Sequence, residues 1–398
     1  MSFAKIYTRG LLGLHAPLIE VEVHVSQGLP SLTIVGLAEA AVRESKDRVR
    51  SAIINSGFQF PTKRLTINLA PADLPKDGSR LDLPIALGIL MASGQIPEHA
   101  TDQLEFIGEL ALDGQLRPIT GILSIAIACQ QSGHQLILPE QNAPEASQLP
   151  QFEVFAAQHL KDVCEHLSKQ QPIAQYQPQT TTTVDQYKFD LADVKGQLRP
   201  RRALEIAAAG GHSLLFKGPP GTGKTLLASR LASILPPLNM QENLEVARIY
   251  SVANTVHSFG QRPFRAPHHT ASAIALVGGG SHPKPGEITL AHLGVLFLDE
   301  LPEFDRKVLE VLRQPLESKE IVISRASRQM TFPANFQLIA AMNPCPCGYA
   351  FNQDTRCQCS ADAIKRYQNR ISGPLLDRID LHLDVPPLQA HELQDTTP

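Results

Sequence analysis

The residues of this chain with the clearest chemical purpose form a glycine-rich segment in its second half. The segment reads Gly218-Pro219-Pro220-Gly221-Thr222-Gly223-Lys224-Thr225. It follows an apolar run at 214–216 that is typical of a buried strand, and precedes a periodic run at 226–231 that is typical of a helix. A G-x4-G-K-T pattern between a strand and a helix predicts a loop that binds phosphate groups.

Each residue type in this loop has a physical reason to be there. Gly218, Gly221 and Gly223 let successive backbone N–H groups turn towards phosphate oxygens, and the N-terminus of the following helix adds its positive dipole end. Lys224 is expected to reach the β- and γ-phosphates of a nucleotide, and Thr225 is expected to ligate Mg²⁺. The whole loop is therefore the predicted nucleotide-binding segment.

Two acidic residues further along the chain are candidates for the reaction itself. Asp299 and Glu300 directly follow the apolar run 295–298, which predicts a buried strand. The arrangement resembles a Walker B segment, in which Asp299 would hold the Mg²⁺ shell and Glu300 would polarise the attacking water. Acids at strand ends are common, so this interpretation depends on the phosphate loop upstream.

Three more polar positions extend the predicted catalytic set. Asn343 follows another apolar run and fits the sensor 1 role, in which an amide orients the lytic water. Arg378 is a candidate arginine finger that would reach a nucleotide held by a neighbouring subunit, and Arg370 is a second candidate. The plain alternative is a surface arginine paired with Asp377 or Asp380.

These candidates need a sheet to position them. The phosphate loop, the two acids and Asn343 each follow a strand-like run, which predicts an α/β core with a parallel sheet. The first half mixes strand-like alternation, as at 19–25, with helical runs such as 83–90, so it is predicted to be a separate α/β or α+β domain. A polar stretch with prolines and four successive threonines is the expected linker. The predicted domains are therefore 1–169 and 188–398, joined by 170–187.

Composition sets outer bounds on function. The 398 residues are 43% hydrophobic and 19% charged, the balance of a soluble globular protein with two or more domains. The net charge of −3 gives no global sign of a nucleic-acid binder, so DNA contacts would come from local patches or a ring-lined pore. No apolar run approaches membrane-spanning length and the start lacks a signal-peptide core, so a cytoplasmic location without membrane partners is expected.

Four of the six cysteines lie within fifteen residues of one another. They form two C-x-C pairs, Cys345 with Cys347 and Cys357 with Cys359. Because disulfides are disfavoured in the cytoplasm and four thiolates suit tetrahedral coordination, the cluster at 345–359 predicts a structural Zn²⁺ site. Reduced cysteines with a purely structural role are the alternative.

Two inserted segments are the leading candidates for contact with DNA. Residues 277–286 are rich in glycine and proline, which predicts an exposed, non-helical loop with Lys284 able to meet a phosphate. Residues 321–332 predict a hairpin with Arg325 and Arg328 flanking its tip. A solvated hairpin with arginines on its rim is an equally good interpretation.

Basic residues in the first half are weaker candidates for phosphate contact. The predicted helix at 41–50 carries four of them, but interspersed acids argue equally for an ordinary solvated face. Similar isolated candidates are Lys63, Arg64, Lys76 and Arg80.

The order of these motifs resembles one protein family. The phosphate loop, the segment Phe-Arg-Ala-Pro-His-His-Thr at 264–270, the Walker B pair and Leu-Leu-Asp-Arg-Ile-Asp at 375–380 are arranged as in the magnesium-chelatase branch of AAA+ ATPases. Within that branch the chain is most similar to the ComM/YifB family. The first half also resembles the family's Lon-protease-like N-terminal domain, so the resemblance covers nearly the whole chain.

The resemblance implies a specific activity. It implies an ATP-driven hexameric DNA motor, a branch-migration helicase that assists recombination of incoming DNA during natural transformation. Its expected cofactors are ATP and Mg²⁺, and its expected partners are further copies of itself and single-stranded, duplex or branched DNA. The resemblance also supports Arg378 as the arginine finger and 321–332 as a pre-sensor hairpin.

The similarity to Lon proteases raises the question of peptidase activity. Lon proteases use a Ser-Lys dyad, but the ungapped alignments place Arg80 at the serine position and Leu123 at the lysine position. A leucine cannot serve as a general base for a hydroxyl nucleophile. Ser79 and Lys76 lie nearby and leave a rearranged site conceivable, but the domain is predicted to be inactive as a protease and to act as a scaffold or DNA-facing collar.

Other functions stay open at this point. A magnesium-chelatase-type subunit that drives metal insertion, an ATP-dependent protease and a non-hydrolysing DNA-binding scaffold are the alternatives. The chain ends at Pro398, before a helical lid with a sensor 2 arginine, so either the natural protein continues further or the lid is absent and ATP turnover by this chain is expected to be weak.

Overall fold

The computed structural model describes residues 2–37, 40–76, 78–97, 101, 103–177, 189–280, 283–325, 328–350 and 356–388. The chain divides into two compact units, Met1–Thr181 and Thr182–Pro398. Each unit has its own principal sheet and its own apolar core.

The described part of the first unit contains nine strands and five helices. The strands are β1 (Phe3–Arg9), β2 (Leu18–Ser26), β3 (Ser31–Val35), β4 (Arg64–Ala70), β5 (Leu104–Phe106), β6 (Glu109–Leu110), β7 (Leu116–Arg117), β8 (Gln135–Pro139) and β9 (Val154–Ala157). The helices are α1 (Ala40–Asn55), α2 (Asp82–Ala92), α3 (Ile122–Gln131), α4 (Ala143–Ala146) and α5 (Leu160–Leu167).

Seven of these strands form a mixed sheet in the order β3-β4-β2-β1-β5-β8-β9. Strand β2 buries alternate residues, so one of its faces is apolar and packs on the core while the other carries polar side chains. Helix α2 is buried along its whole length. A Cβ at Gly88 would lie 2.6 Å from Val23 Cγ2, so this glycine lets α2 pack closely on the sheet.

The described part of the second unit contains nine strands and nine helices. The strands are β10 (Leu214–Lys217), β11 (Phe264–Arg265), β12 (Gly278–Gly279), β13 (Lys284–Pro285), β14 (Val295–Leu298), β15 (Glu320–Arg325), β16 (Arg328–Pro333), β17 (Gln337–Met342) and β18 (Leu381–Asp384). The helices are α6 (Leu198–Gly210), α7 (Lys224–Ile234), α8 (Met240–Ala253), α9 (Ala273–Val277), α10 (Glu287–Leu290), α11 (Arg306–Glu310), α12 (Arg313–Ser318), α13 (Ala361–Gln368) and α14 (Gly373–Leu376).

The principal sheet of the second unit has five parallel strands in the order β11-β14-β17-β10-β18. Strands β14 and β17 are buried at every position, as expected for parallel strands covered on both faces. Helix α7 packs Leu227 and Leu231 into the same core as Phe216 of β10. Because all five strands run the same way, the segments that follow β10, β14 and β17 leave the sheet at one edge.

Two inserts differ in how closely they follow the sequence-based expectations. The segment 321–332 lies in an antiparallel hairpin of β15 and β16, whose last register pair joins Arg325 and Arg328. The segment 277–286 is only partly the exposed loop that its glycines predict, since β12 and β13 pair as a short ladder. Gly278 and Gly286 are buried there, and a Cβ at Gly278 would lie 2.2 Å from Lys284 O, which explains the glycine.

The two cysteines outside the cluster are core residues, as their apolar helical settings predict. Cys129 on α3 and Cys164 on α5 are both buried, and burial raises the pKa of the Cys164 thiol to about 12. No helix within the described ranges combines the length and the apolar character needed to span a membrane.

Candidate nucleotide site

The phosphate loop lies at the carboxyl edge of the parallel sheet, between β10 and α7. Gly221 and Gly223 have φ of +78° and +83°, a left-handed conformation that glycine adopts without strain. A Cβ at Gly218 would lie 2.3 Å from Val385 O, so this position has no room for a side chain. Thr222 Oγ1 donates to Pro219 O at 3.0 Å and so stabilises the turn of the loop.

Lys224 begins α7 and points back into this loop. Its Nζ donates to Gly218 O and Pro219 O, both at 2.8 Å, and to Asn343 Oδ1 at 3.2 Å. Desolvation lowers the pKa of Lys224, and the carboxylates of Asp299 and Glu300 act in the opposite direction. The ammonium group is therefore held at the loop by partners from two separate strand ends.

The two acids directly after β14 have different contacts. Thr225 Oγ1 donates to Asp299 Oδ2 at 2.6 Å, which brings together the two predicted Mg²⁺ ligands. The Glu300 N–H donates to Asp299 Oδ1 at 2.9 Å, and Glu300 has φ of +53°. A left-handed conformation is uncommon for glutamate, and such strained residues are found preferentially at functional sites.

His269 is a functional candidate whose role the sequence did not identify. Its Nδ1 lies 3.1 Å from Glu300 Oε2, and its ring packs against His268 and the edge of Phe304. In the sequence, the histidine pair stands out only as part of the motif at 264–270. A histidine near a Walker B glutamate has no spacing signature, because the contact depends on how β11 and β14 pair.

Asn343 sits where β17 ends and is supported by α13. Its side chain contacts Lys224, as described above, while Tyr367 of α13 forms a hydrogen bond with its backbone. Burial raises the pKa of Tyr367 to about 12, so the phenol stays protonated. Gln368 Nε2 also donates to Pro344 O at 3.0 Å, so α13 fixes the backbone on which the amide is carried.

The two arginine candidates have partners within the second unit. Arg378 forms an ion pair with Glu317 of α12 and donates to Pro374 O. The predicted alternative pairing with Asp377 or Asp380 is wrong, since Asp380 instead accepts the Ser213 N–H at 2.8 Å. Arg370 is tied to the turn after the acids, donating to Glu303 Oε2 at 2.9 Å.

The four clustered cysteines converge as metal ligands would. Cys345, Cys347, Cys357 and Cys359 have their sulfur atoms within 4.8 Å of one another. The Cys345–Cys357 and Cys347–Cys357 sulfur distances are 3.8 and 3.7 Å. A tetrahedron with Zn–S bonds of about 2.3 Å has S···S edges of about 3.8 Å, so the described geometry fits a metal ion.

Backbone groups around this cluster favour thiolate ligands. The N–H of Tyr349 lowers the pKa of Cys347 to about 6, and the Ala350 N–H donates to Cys345 Sγ at 3.3 Å. Hydrogen bonds of this kind stabilise the deprotonated sulfur that a metal requires. At Cys357, by contrast, a backbone hydrogen bond is outweighed by burial and the neighbouring cysteines, which raise the pKa to about 11, and the pKa of Cys359 is also raised. The backbone therefore favours a thiolate at Cys347, while the cluster as a whole supplies the donor set of a metal site.

The cysteine cluster also touches the phosphate loop. Gly348, with φ of +87°, lies so close to the loop that a Cβ there would be 2.8 Å from Pro220 Cδ. Cys345 follows Asn343 by two residues, so the turn that carries the sulfurs starts at the end of β17. The structure thus places the cluster against both the loop and the amide.

The predicted DNA-contacting residues, Lys284, Arg325 and Arg328, lie on the two inserted segments of the second unit. Lys284 is exposed on β13. Arg325 and Arg328 hold the last paired positions of the hairpin, and their side chains fall outside the described atoms, as does the turn 326–327.

The residues at and beside the Lon-like dyad positions each contact a different partner. Leu123 is buried in α3, and Arg80 Nη1 donates to Thr120 O at 3.4 Å. Ser79 Oγ donates to Glu109 Oε2, whereas Lys76 Nζ donates to Pro71 O. Lys76 is 1% exposed, so the prediction that it could contact phosphate is wrong.

Comparison with known proteins places this geometry in a family. The chain matches the family described as magnesium chelatase, subunit ChlI, over residues 190–393, and a second family described as subunit ChlI of Mg-chelatase over residues 21–142. It is 53% identical to competence protein ComM of Haemophilus influenzae, covering 100% of this chain and 79% of that protein. It is 51% identical to the uncharacterized protein YifB of Escherichia coli, covering 97% of this chain and 76% of that protein.

The first unit has a separate similarity. A Lon protease of Chloroflexus aurantiacus is 31% identical over 142 residues, which cover 33% of this chain and 17% of that protein. Together with the magnesium-chelatase match, this confirms the predicted fold class, a Lon-protease-like first half followed by an AAA+ core with a parallel sheet.

Proposed function

Because the chain belongs to the ComM/YifB family of magnesium-chelatase-like AAA+ ATPases, we propose that it is an ATP-driven DNA motor. The specific activity proposed is branch migration of recombination intermediates during natural transformation, carried out in the cytoplasm by a ring, most simply a hexamer. The name of the Haemophilus relative, a competence protein, supports the link to incoming DNA.

The observation that carries the ATPase part of the proposal is a convergence at one sheet edge. Lys224, Thr225, Asp299 and Asn343 come from three different segments and are joined by hydrogen bonds of 2.6 and 3.2 Å. Glu300 lies next to Asp299. Phosphoryl transfer needs positioning and electrostatic stabilisation more than covalent chemistry, and this set provides both.

Each residue has a role in this proposal. The loop 218–225 would hold the phosphates through its backbone N–H groups, and Lys224 would place its charge on the β- and γ-phosphates. Thr225 and Asp299 would hold Mg²⁺, which neutralises phosphate charge when bound. Glu300 would take the proton of the attacking water, and Asn343 would orient that water.

The remaining part of the site would come from a neighbouring subunit. We assign this role to Arg378, which would exchange its ion pair with Glu317 for the γ-phosphate of the adjacent protomer. The pair is only partly exposed, with Arg378 26% and Glu317 61% exposed, so breaking it costs less than breaking a fully buried pair. Lys284, Arg325 and Arg328 are proposed DNA contacts in the same assembly.

The cysteine cluster is proposed to hold a structural Zn²⁺. Removing zinc from the protein with a chelator should lower the melting temperature of the second unit and weaken nucleotide binding, because the turn at Gly348 packs on Pro220. Cys359→Ser should bind less than one zinc per chain by atomic absorption. A chain with full activity and stability but no zinc would contradict the assignment.

The first unit is proposed to be a scaffold without peptidase activity. The dyad positions hold Arg80 and Leu123, and Ser79 and Lys76 have separate hydrogen-bond partners. Ser79 donates to Glu109 and Lys76 donates to Pro71 O, so these two residues do not form the hydroxyl–amine pair that nucleophilic catalysis of this type requires.

The test is the ATP turnover rate with and without single-stranded, duplex and four-way-junction DNA. The chain and its Lys224→Ala variant are compared under the same conditions. Stimulation by DNA that disappears in the variant supports the motor. Turnover that ignores every DNA but is lost in the variant would instead favour a chelatase-type role, to which the magnesium-chelatase matches over both halves point.

A further inference from the structure

A basic groove on the first unit brings together residues that are distant in sequence. One wall is the middle of α1, with Lys46, Asp47 and Arg50, and the other is formed around Phe60 and Lys63. The groove encloses about 350 Å³, which is at the lower end of the range for ligand pockets in proteins. We call it the α1 groove.

The sheet explains why these segments meet. Strands β3 and β4 are parallel neighbours, with Ser31 opposite Arg64 at the start of both. The segments that enter the two strands, ending at Pro30 and Lys63, are therefore side by side. Lys46 and Arg50 are four residues apart on α1, so they share one helical face towards this pair of strand starts.

The charge in the α1 groove is positive. Lys46, Arg50 and Lys63 line it against one carboxylate, Asp47, and Arg64 is exposed at the adjacent strand start. Among the residues that the structure describes, no carboxylate lies within ion-pair distance of any of these four cations. In a chain with a net charge of −3, such a local excess of positive charge is a departure from the average surface.

An aromatic contact holds one of the cations in place. The Arg50 guanidinium lies over the Phe60 ring, 5.4 Å from its centroid, and Arg50 remains exposed. A guanidinium that lies over a ring face can still donate its N–H groups to an oxyanion. The α1 groove therefore presents the planar guanidinium of Arg50 together with the flexible ammonium groups of Lys46 and Lys63.

We propose that the α1 groove binds the phosphate backbone of single-stranded DNA. Closely spaced Lys and Arg side chains beside an aromatic ring are the combination with which proteins bind single-stranded DNA, because the cations contact phosphates and the ring can contact a base. The inference rests on the proposed function and adds a contact site on the first unit to the proposed motor. It also gives the Lon-like unit a task that needs no peptidase chemistry.

The experiment measures binding of a fluorescein-labelled single-stranded oligonucleotide by anisotropy, at several salt concentrations, with the full chain. The variant is Lys46→Ala/Arg50→Ala/Lys63→Ala. The matched control, Lys5→Ala/Arg117→Ala/Lys161→Ala, removes the same charge from other exposed positions of the same unit. Melting curves check that all the chains are folded.

The groove variant should bind the oligonucleotide at least about tenfold more weakly than the wild type, and its plot of log K against log salt should be shallower by about 2, because about three phosphate contacts are lost. The control should match the wild type. A single Lys63→Glu change should weaken binding more than Lys63→Ala. A groove variant that binds like the control overturns the inference while leaving the motor intact.

Two further outcomes separate the alternatives. If the wild-type chain binds no DNA at all, the proposed function fails together with the groove. If the groove instead takes a free nucleotide, a fluorescent ATP analogue should bind to a Lys224→Ala chain and be lost when the three groove changes are added, which also overturns the DNA inference.

Discussion

The two units of this chain each bury a lysine, and only one of the two lysines lies in a site. Lys76 in the first unit and Lys224 in the second are 1% and 9% exposed, and desolvation lowers the pKa of both. Both donate to backbone carbonyls of their own loops. A buried lysine with a perturbed pKa is therefore not by itself evidence of catalysis.

The difference lies in what converges on each ammonium group. Lys224 meets Asn343 from another strand end, and Asp299 and Glu300 oppose the lowering of its pKa. At Lys76, the carboxylate that opposes the lowering of the pKa is Asp73, three residues away. Ser79 donates its hydroxyl to Glu109 and not to a group at Lys76. Parallel strands gather their carboxyl ends at one edge, whereas the Lon-like loops send their polar groups to separate partners.

The largest expected effect separates the two lysines directly. Lys224→Met should lower the ATP turnover rate by at least about 10²-fold, since it removes a charge aimed at the developing transition state. Lys76→Met should change that rate less than about twofold and alter stability by less than about 1.5 kcal/mol, because the swap roughly conserves volume. Steady-state turnover and thermal melting measure both.

Equal loss of turnover in the two folded variants would break the comparison. It would mean that the first unit takes part in the reaction and that Lys76 has more than a structural role.

A second, smaller effect tests the division of labour between the two acids. Glu300→Gln should lower turnover by about 10²-fold or more while leaving ATP binding intact, because an amide cannot accept the proton of water. Asp299→Asn should weaken Mg²⁺ binding, so that more Mg²⁺ is needed for turnover, and should also weaken ATP binding. Rates and ATP affinity, measured across Mg²⁺ concentrations, distinguish them. Loss of ATP binding in Glu300→Gln would place the glutamate in binding rather than in the chemical step.

A third effect concerns the residue that supports Glu300. His269→Ala should lower kcat by about tenfold with KM little changed, since Nδ1 lies 3.1 Å from the carboxylate and holds it in place. His269→Asn keeps a donor in a similar position and should recover most of the rate. If His269→Asn is as slow as His269→Ala, the ring acts through packing on Phe304 rather than through the hydrogen bond.

The smallest effect is expected in the first unit. Ser79→Ala removes the hydroxyl that donates to Glu109, which should cost about 1 kcal/mol of stability. Turnover should stay the same, and neither chain should cleave casein. Peptidase activity in the wild type that disappears with Ser79→Ala would show that the first unit is catalytic and contradict its proposed role as a scaffold.

Much of the fold could be predicted from local patterns. The glycine loop, the buried runs before Asp299 and Asn343 and the alternation of β2 each specify an element within a few residues, because side-chain period and turn chemistry act locally. The hairpin of β15 and β16 followed from the same rules. The short ladder of β12 and β13 did not, because its pairing depends on a buried glycine fitting against Lys284 O.

The partners of charged groups were harder to predict. The ion pair of Arg378 with Glu317 joins residues 61 positions apart, while nearby Asp377 and Asp380 were the obvious choices from sequence. Likewise, His269 meets Glu300 only because β11 and β14 pair side by side. Sequence spacing carries no information on contacts made across a sheet.

The sequence by itself determined which chemistry is available. Residue types at fixed spacings specified a phosphate loop, two acids after a strand, a polar amide, and four thiols, since these patterns depend only on neighbours along the chain. Tertiary structure alone decided which of them meet. It gathered Lys224, Asp299 and Asn343 at one sheet edge, set Gly348 against the phosphate loop, buried Lys76 and assembled the α1 groove. These distances between remote residues are fixed by strand order and packing.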